Sequence, residues 1–431
     1  MALGLALQAR GHAVSIVTSH YHHDRITAAG LGFHPASPDL RPDDKALIRA
    51  TMDERRGPEE VVRFMLRHLP ETYRDYERAV SADGGADLLI TSDLAYAGQI
   101  LAEKTGLRWF SQVLSPIAFF SAYDATVLPP APWLSKLSAL GPALYGAILR
   151  AIKTQALKLA RPYNDFRRQL GLASIRDPFF TDKNSPELVL AMFSRLLGEP
   201  RPDWPPQTVV TGFAFYDPGA EAGTPGRSGA PGDGRSDPLD VVWAGPALAP
   251  ELRHFLAAGD APIVFTLGSA AVFDPGEFFI ESARAAAELG KRAVLVVGID
   301  PGPLPPASST IAVCPYAPFS RLFPRAAAIV HQGGSGTTGQ GMRAGKPMLV
   351  VPYAHDQPDN ALRLRRLGVA LTIRRAAYRA PAVARALHRV LEDERIASRA
   401  ASVGAIVSAE DGARVAADAV ERIFDQGNRR T

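Results

Sequence analysis

The sequence predicts an α/β fold in two domains, each a parallel sheet flanked by helices, on three observations. First, 431 residues exceed what one hydrophobic core normally serves, and a composition 46% hydrophobic and 21% charged can fill two. Second, short β-rich apolar runs alternate with helical segments in both halves, the order that parallel sheets with right-handed crossovers require. Third, DPGAEAGTPGRSGAPGDGRSDPLD at 217–240 is rich in Gly and Pro and poor in large apolar residues, so it separates the halves rather than joining a core. The implied organisation is an N-terminal domain over 1–215, a linker or surface loop over 216–240 and a C-terminal domain over 241–431.

In the first half, residues 2–10 read as a helix ended by Gly11, and 13–18 (AVSIVT) reads as a buried strand. A helix over 22–29 leads through Gly30 into a second short strand. A long amphipathic segment covers 58–80, with Pro58 in its first turn, where a missing N–H is harmless. A strand at 87–91 (DLLIT), a helix over 94–105 ended by Gly106 and a strand at 107–112 follow. Residues 113–186 are less regular, opening with the aromatic and Pro-rich SPIAFFSAYDATVLPPAPW and continuing mostly helical to about 159. Phe119, Phe120, Tyr123 and Trp133 there either pack the core or line a pocket for an apolar ligand beside the sheet's carboxyl edge.

In the second half, strands are expected at 262–267, 293–297, 310–313, 327–330 and 347–351, with helices over 276–289 and 337–344 ended by Gly290 and Gly345. The tail from 379 is helical.

Composition narrows the function. The net charge of +4, from 48 basic and 44 acidic residues, is dispersed, which argues against a nucleic-acid partner. Cys314 is the only cysteine, which rules out an intramolecular disulfide, disfavours a thiolate metal site and fits a reducing, cytoplasmic setting. Apolar stretches near 110–120 and 137–149 are broken or bounded by Pro116, Ser121, Lys136 and Arg150, short of the roughly 20 residues a membrane span needs. Membrane contact, through 137–159 with its Lys136, Lys153 and Lys158, would be peripheral. The chain start has no basic leader or cleavage-like site and does not read as a signal peptide. Monomer and homodimer are both compatible with the sequence.

The chemistry concentrates in AAAIVHQGGSGTTGQGMRAGKPMLVVPYAHDQPDN, where strand, Gly-rich turn, helix and strand follow directly. Gly333, Gly334 and Gly336 let backbone N–H groups approach an anion, and the helix starting near Thr337 points its positive end at it. A diphosphate is the expected ligand, with the hydroxyls of Ser335, Thr337 and Thr338 and a hydrogen bond from His331 added to the backbone donors. The segment is neither a P-loop, lacking the GK[ST] ending, nor the G-x-G-x-x-G dinucleotide fingerprint. Gly268 and Ser269, at the end of the domain's first strand, either add backbone and hydroxyl contacts or form an ordinary turn. Asp356 and Gln357 pair a carboxylate with a carboxamide, which suits the mixed polarity of adjacent sugar hydroxyls. Asp359, followed by Asn360, offers a similar sugar contact, and helix capping is the other reading of Asp356, Asp359 and Asn360.

These residues resemble the nucleotide-sugar-dependent glycosyltransferases of the UDP-glucuronosyl/glucosyltransferase group, in particular the bacterial sterol- and macrolide-glycosyltransferase branch. The resemblance spans essentially the whole chain and is strongest in FTLGS, HQGGSGTTGQGMRAGKPMLVVPYAHDQPDN and LRRLGVA, with DLLITSDLAYAGQILAEKTGLRWF as a weaker match. It implies the GT-B fold, two facing Rossmann-like domains with a cleft, the N-terminal one taking the acceptor and the C-terminal one the donor. It also implies a UDP- or TDP-sugar and a small or lipid-like acceptor as substrates, with no cofactor and no obligatory metal. His331 and the loop Gly333, Gly334, Ser335, Gly336, Thr337, Thr338 fall where the family binds the donor diphosphate, and Asp356 and Gln357 where it binds sugar hydroxyls. Tyr316 falls near the aromatic that stacks on the base, or packs conventionally. Plant members carry a glutamate eight residues after the loop histidine; here that position is Gly339, which leaves UDP and TDP both open.

The resemblance further implies inversion by direct displacement, with a base taking the acceptor proton. Asp93 matches the carboxylate that orients the family's catalytic histidine, or else caps the helix over 94–105. The histidine has no counterpart here: members begin with an apolar strand and a Gly-rich loop bearing it, whereas this chain opens in the following helix. The natural product is therefore expected to start upstream. His12, His20, His22 and His23 are poor substitutes, since none follows such a first strand. A nucleotide-sugar-binding partner without transfer is the alternative, and an epimerase of the same architecture a more distant one.

Overall fold

The computed structural model describes residues 1–39, 41, 44–217, 248–268, 271–298 and 302–428. Most of the Gly/Pro-rich stretch expected at 216–240 lies outside the described residues, and so does Ser269. Packing divides the chain into two units, one of Met1–Asp44, Arg55–Ala214 and Asp411–Thr431, the other of Lys45–Glu54 and Phe215–Glu410. Both are α/β, with parallel sheets flanked by helices.

In the first unit, β1 (Ser15–Thr18) pairs in parallel with β2 (Gly32–Pro35), while β3 (Leu88–Thr91), β4 (Arg108–Val113), β5 (Val189–Ala191) and β6 (Thr208–Val210) form a second parallel sheet in that order. Among the described residues, neither β1 nor β3 has a second strand beside it. The expectation of a buried strand at 13–18 is thereby corrected: β1 is exposed or half-buried along its length, since one neighbouring strand covers it on one edge alone. The amphipathic segment at 58–80 is two helices, Gly57–Arg67 and Leu69–Ser81, broken at His68. Pro70 explains the break, because a proline tolerates a helix's first turn but not its interior.

The core of the four-stranded sheet is built from both ends of the chain. Phe110, Leu188 and Leu190 pack with Leu3 and Leu7 of helix Ala2–Gln8 and with Ala416, Ala417 and Val420 of helix Gly412–Asn428. Arg10 ties these two helices, donating to Asp418 and Glu421 at 2.6 Å each.

The second unit holds a six-stranded parallel sheet of β7 (Ile263–Thr266), β8 (Ala293–Val296), β9 (Ile311–Cys314), β10 (Ala328–His331), β11 (Met348–Val350) and β12 (Ala370–Thr372). Their order across the sheet is β12-β11-β10-β7-β8-β9. β7, β8, β10 and β11 are buried at every residue, so they read as continuous apolar runs. Helices Phe278–Glu288 and Ala380–Glu392 cover one face with Phe278, Phe279, Val383 and Leu387. Met52, from the stretch Lys45–Glu54, joins the same core. From β7 the chain runs outward to β8 and β9 and then returns to β10 on the other side of β7. The segments leaving β7 and β10 diverge at this switch point, which opens a crevice at the carboxyl edge of the sheet.

Candidate functional site

That crevice gathers most of the polar residues singled out in the sequence. β10 ends on His331, the turn Gln332-Gly333-Gly334 follows, and helix Ser335–Arg343 begins at once with Gly334 as its N-cap. Gly333 has φ +92°, and a Cβ there would stand 3.0 Å from both the Gln357 carbonyl and a Val350 methyl, so the turn requires glycine. Gly268, after β7, has φ +66°, and its missing side chain is replaced by the Gln332 carboxamide lying against it. No side chain caps the helix, so its first-turn N–H groups lack a side-chain capping partner.

His331 is fully buried, and its Nδ1 accepts the Gly333 N–H at 3.1 Å. Burial pushes its pKa down to about 3, which fixes a neutral ring protonated on Nε2. Nε2 has no hydrogen-bond partner, and the same holds for the Thr338 hydroxyl and Gln332 Oε1. Buried polar groups are nearly always satisfied, so two donors and an acceptor orphaned along one turn point to a ligand.

Beyond β11, Asp356 accepts from Ser335 Oγ at 2.7 Å and from Asn360 Nδ2 at 2.8 Å. Burial raises its pKa, against the two hydrogen bonds that lower it. Asn360 Nδ2 also donates to the Gly333 carbonyl at 2.9 Å, so one carboxamide ties the turn to the carboxylate. Asp356 stands at the N-cap position of helix Gln357–Arg366 but makes no side-chain capping bond. Gln357 Oε1 accepts from the N–H groups of Tyr353 and Ala354 at 2.8 and 3.2 Å, which leaves its Nε2 as the outward donor. Asp359 is buried in an ion pair with Arg363 at 2.6 Å and is structural. Tyr316, just after β9, is 59% exposed. Three strand spacings separate β9 from β10, roughly 14 Å.

Sequence reasoning passed over three residues here. Gln332 stood inside the quoted motif, but only its orphaned Oε1 marks it. Asn360 read as a sugar contact or a cap, and it ties the Gly333 carbonyl to Asp356. His355 has φ +57°, unusual for a residue with a side chain, and burial lowers its pKa. Its partner is the backbone of Thr51, just over three hundred residues earlier in the chain, so no local pattern could have revealed it.

The residues singled out in the first unit do not form one cluster. Asp93 accepts from Lys183 Nζ at 2.7 Å, and helix Tyr96–Thr105 starts beyond it on an Ala95 N-cap, so the capping reading is corrected. Phe119 is buried and stacks on Trp204 at 4.1 Å, as core. Phe120 packs edge-on against Phe180, with Lys153 Nζ 5.5 Å from both rings. Tyr123 and Trp133 are exposed. A groove of about 1100 Å³ is lined by Phe119, Lys153, Phe180 and Trp204. It also runs past Arg108, Glu187 and Gln207, at the amino ends of β4, β5 and β6 rather than only the carboxyl edge. Among the described residues, no group of three or more His, Cys, Asp or Glu side chains is placed to hold a metal ion.

Residues 298–421 match the family described as Erythromycin biosynthesis protein CIII-like, C-terminal domain. O-mycaminosyltylonolide 6-deoxyallosyltransferase of Streptomyces fradiae is 31% identical, over 98% of this chain and 93% of its own length. Sterol 3-beta-glucosyltransferase of Yarrowia lipolytica is 26% identical over 99% of this chain, which spans 28% of that longer protein. Among solved structures, the glycotransferase of kitacinnamycin superposes with a TM-score of 0.68 at 20% identity, covering 98% of this chain and 94% of that one.

Proposed function

Because this chain belongs to the GT-B glycosyltransferases related to the bacterial macrolide and natural-product transferases that use TDP- or UDP-sugars, we propose that its His331 turn holds the donor diphosphate. The protein is an enzyme that transfers a sugar from a nucleotide-sugar to a small or lipid-like acceptor. The carrying observation for the site is the set of orphaned groups at the turn: His331 Nε2–H, the Thr338 hydroxyl and Gln332 Oε1. The two donors, with the free N–H groups at the head of helix Ser335–Arg343, stabilise a doubly anionic leaving group as its charge develops. Gly268 supplies a further backbone contact from the end of β7. Asp356 and the outward Nε2 of Gln357 bind sugar hydroxyls, and Tyr316 takes the base.

The reaction is a single displacement. The acceptor oxygen forms a bond to the anomeric carbon as the bond to the diphosphate oxygen breaks, with inversion; the acceptor proton passes to a base and the nucleoside diphosphate departs. Asp93 serves as a positioning carboxylate for that base, its charge balanced by Lys183. The acceptor occupies the first unit, against Phe120 and Tyr123. The transferred group is a hexose or deoxyhexose; the Streptomyces fradiae relative, named for 6-deoxyallosyl transfer, supports the latter. The enzyme is assigned to the cytoplasm, peripheral to the membrane's inner face. No described helix is long and apolar enough to cross a membrane.

Titration calorimetry with TDP and UDP tests this reading, followed by product mass for a panel of nucleotide-sugars and apolar alcohols. The expected result is binding of at least one diphosphate, weakened in H331A and in D356A only when the sugar is attached. Absence of affinity for either nucleotide in folded protein would overturn the site assignment.

A further inference from the structure

The segment 125–164 contains Lys136, Arg150, Lys153, Lys158 and Arg161 and no acidic residue. It folds as a 3-10 run, Pro132–Leu140, leading into the helix Pro142–Ala156. The inner side is satisfied: Leu134, Tyr145 and Leu149 are buried with Leu128, and Ile148 and Ile152 pack against them. The outer side is nevertheless apolar. Trp133 is 61% exposed, Leu140 53% and Leu144 59%, and Ala143 and Ala147 beside them are exposed too. Lys136, Arg150 and Lys158 are also exposed, and none of the three pairs with a carboxylate among the described residues. Large exposed side chains with no structural duty, set among unpaired cations, mark an interaction surface.

We propose that this face docks on an anionic phospholipid bilayer, with Trp133, Leu140 and Leu144 entering the interface and Lys136, Arg150 and Lys158 meeting the headgroups. Trp at headgroup depth, Leu below it and flanking Lys or Arg is the arrangement that interfacial helices use. Each basic residue near an anionic surface strengthens binding roughly five-fold, so three supply on the order of a hundred-fold. A second copy of this chain is a poorer occupant, because a two-fold contact through the face would set the same cations against one another. The inference rests on the peripheral placement proposed above and gives it a surface; an enzyme seated there would meet an apolar acceptor where such molecules partition.

Co-sedimentation with vesicles tests it, using phosphatidylcholine alone or mixed with phosphatidylglycerol. The expected result is at least ten-fold more bound protein on the mixed vesicles, lost at high salt. The double variant L140S/L144S should bind about ten-fold less or weaker still, while transferring sugar to a water-soluble acceptor at the parent rate. Brominated lipid should quench tryptophan fluorescence in the parent and not in W133F. No association with anionic vesicles, association unchanged in L140S/L144S, or self-association through this face by light scattering would each overturn the proposal. TDP and UDP calorimetry on the same preparation separates the two readings: nucleotide binding without vesicle binding removes the docking surface and leaves the donor site standing.

Discussion

The Gly333 N–H donates to Nδ1 of His331 at 3.1 Å, and that one contact decides which end of the imidazole is left to donate. With Nδ1 occupied as an acceptor and the ring neutral, Nε2 must carry the proton and is the donor left over. The turn proposed to bring backbone amides to a diphosphate therefore also sets the tautomer of its histidine.

Replacing His331 separates hydrogen bonding from charge. H331A should lower kcat/KM by about 10²–10³, the usual loss for one preorganised donor, because a neutral ring contributes an N–H and no positive charge. H331N should recover part of it if its amide reaches the same position. Steady-state kinetics check both. An undiminished kcat/KM in H331A would remove the residue from the donor site.

The same burial has a signature in stability. His331 titrates near 3 folded, below its ordinary value of 6.5, so between those values the unfolded chain binds the extra proton. Its contribution is complete above about 6.5 and is lost as pH falls toward 3. Urea midpoints measured from pH 7 downward should fall more steeply in the parent than in H331A.

At Gly333 a methyl group has no room and the backbone has the wrong sign of φ. G333A should destabilise the protein by about 1–3 kcal/mol and weaken diphosphate binding as the turn shifts off the Gln357 carbonyl and Val350. Thermal melts and calorimetry read the two effects apart. A fully stable G333A with parental affinity would contradict the geometry.

A second close approach lies away from the crevice. A Cβ on Gly404 would stand 2.5 Å from the Gly345 Cα, backbone against backbone. G404A should therefore lower stability by about 1–3 kcal/mol with the KM for donor little changed, since nothing at the His331 turn touches it. Denaturation and kinetics on the one variant decide the point.

Asp93 and Lys183 form a part-buried pair at 2.7 Å, the lysine side chain 11% and the carboxylate 31% exposed. Breaking a part-buried ion pair costs between about 1 kcal/mol, the surface value, and about 3–5 kcal/mol, the buried one. If Asp93 positions the base, D93N should lower kcat far more than it lowers the melting temperature and should shift the pH profile of kcat. K183M should reproduce the stability loss without the same loss of kcat. Equal behaviour of the two variants would reduce Asp93 to a salt-bridge partner.

Much of this was legible in the sequence. Parallel strands, the helices between them and the Gly-rich turn were readable because apolar period, Gly stops and strand-turn-helix succession are local properties. Even the two-helix break at His68 had its signal in Pro70. What stayed illegible was which distant pieces meet: that helix Gly412–Asn428 packs with Ala2–Gln8, that Thr51 bonds to His355, that Asn360 ties Gly333 to Asp356 rather than capping, and that Asp93 meets Lys183. The sequence by itself determined the class of fold and the strand-turn-helix succession at His331, since both follow from residue types a few positions apart. The tertiary structure alone decided the tautomer of His331, its isolation from water and the roles of Asp359 and Phe119, because burial and partner choice are set by contacts between segments that sequence distance does not encode.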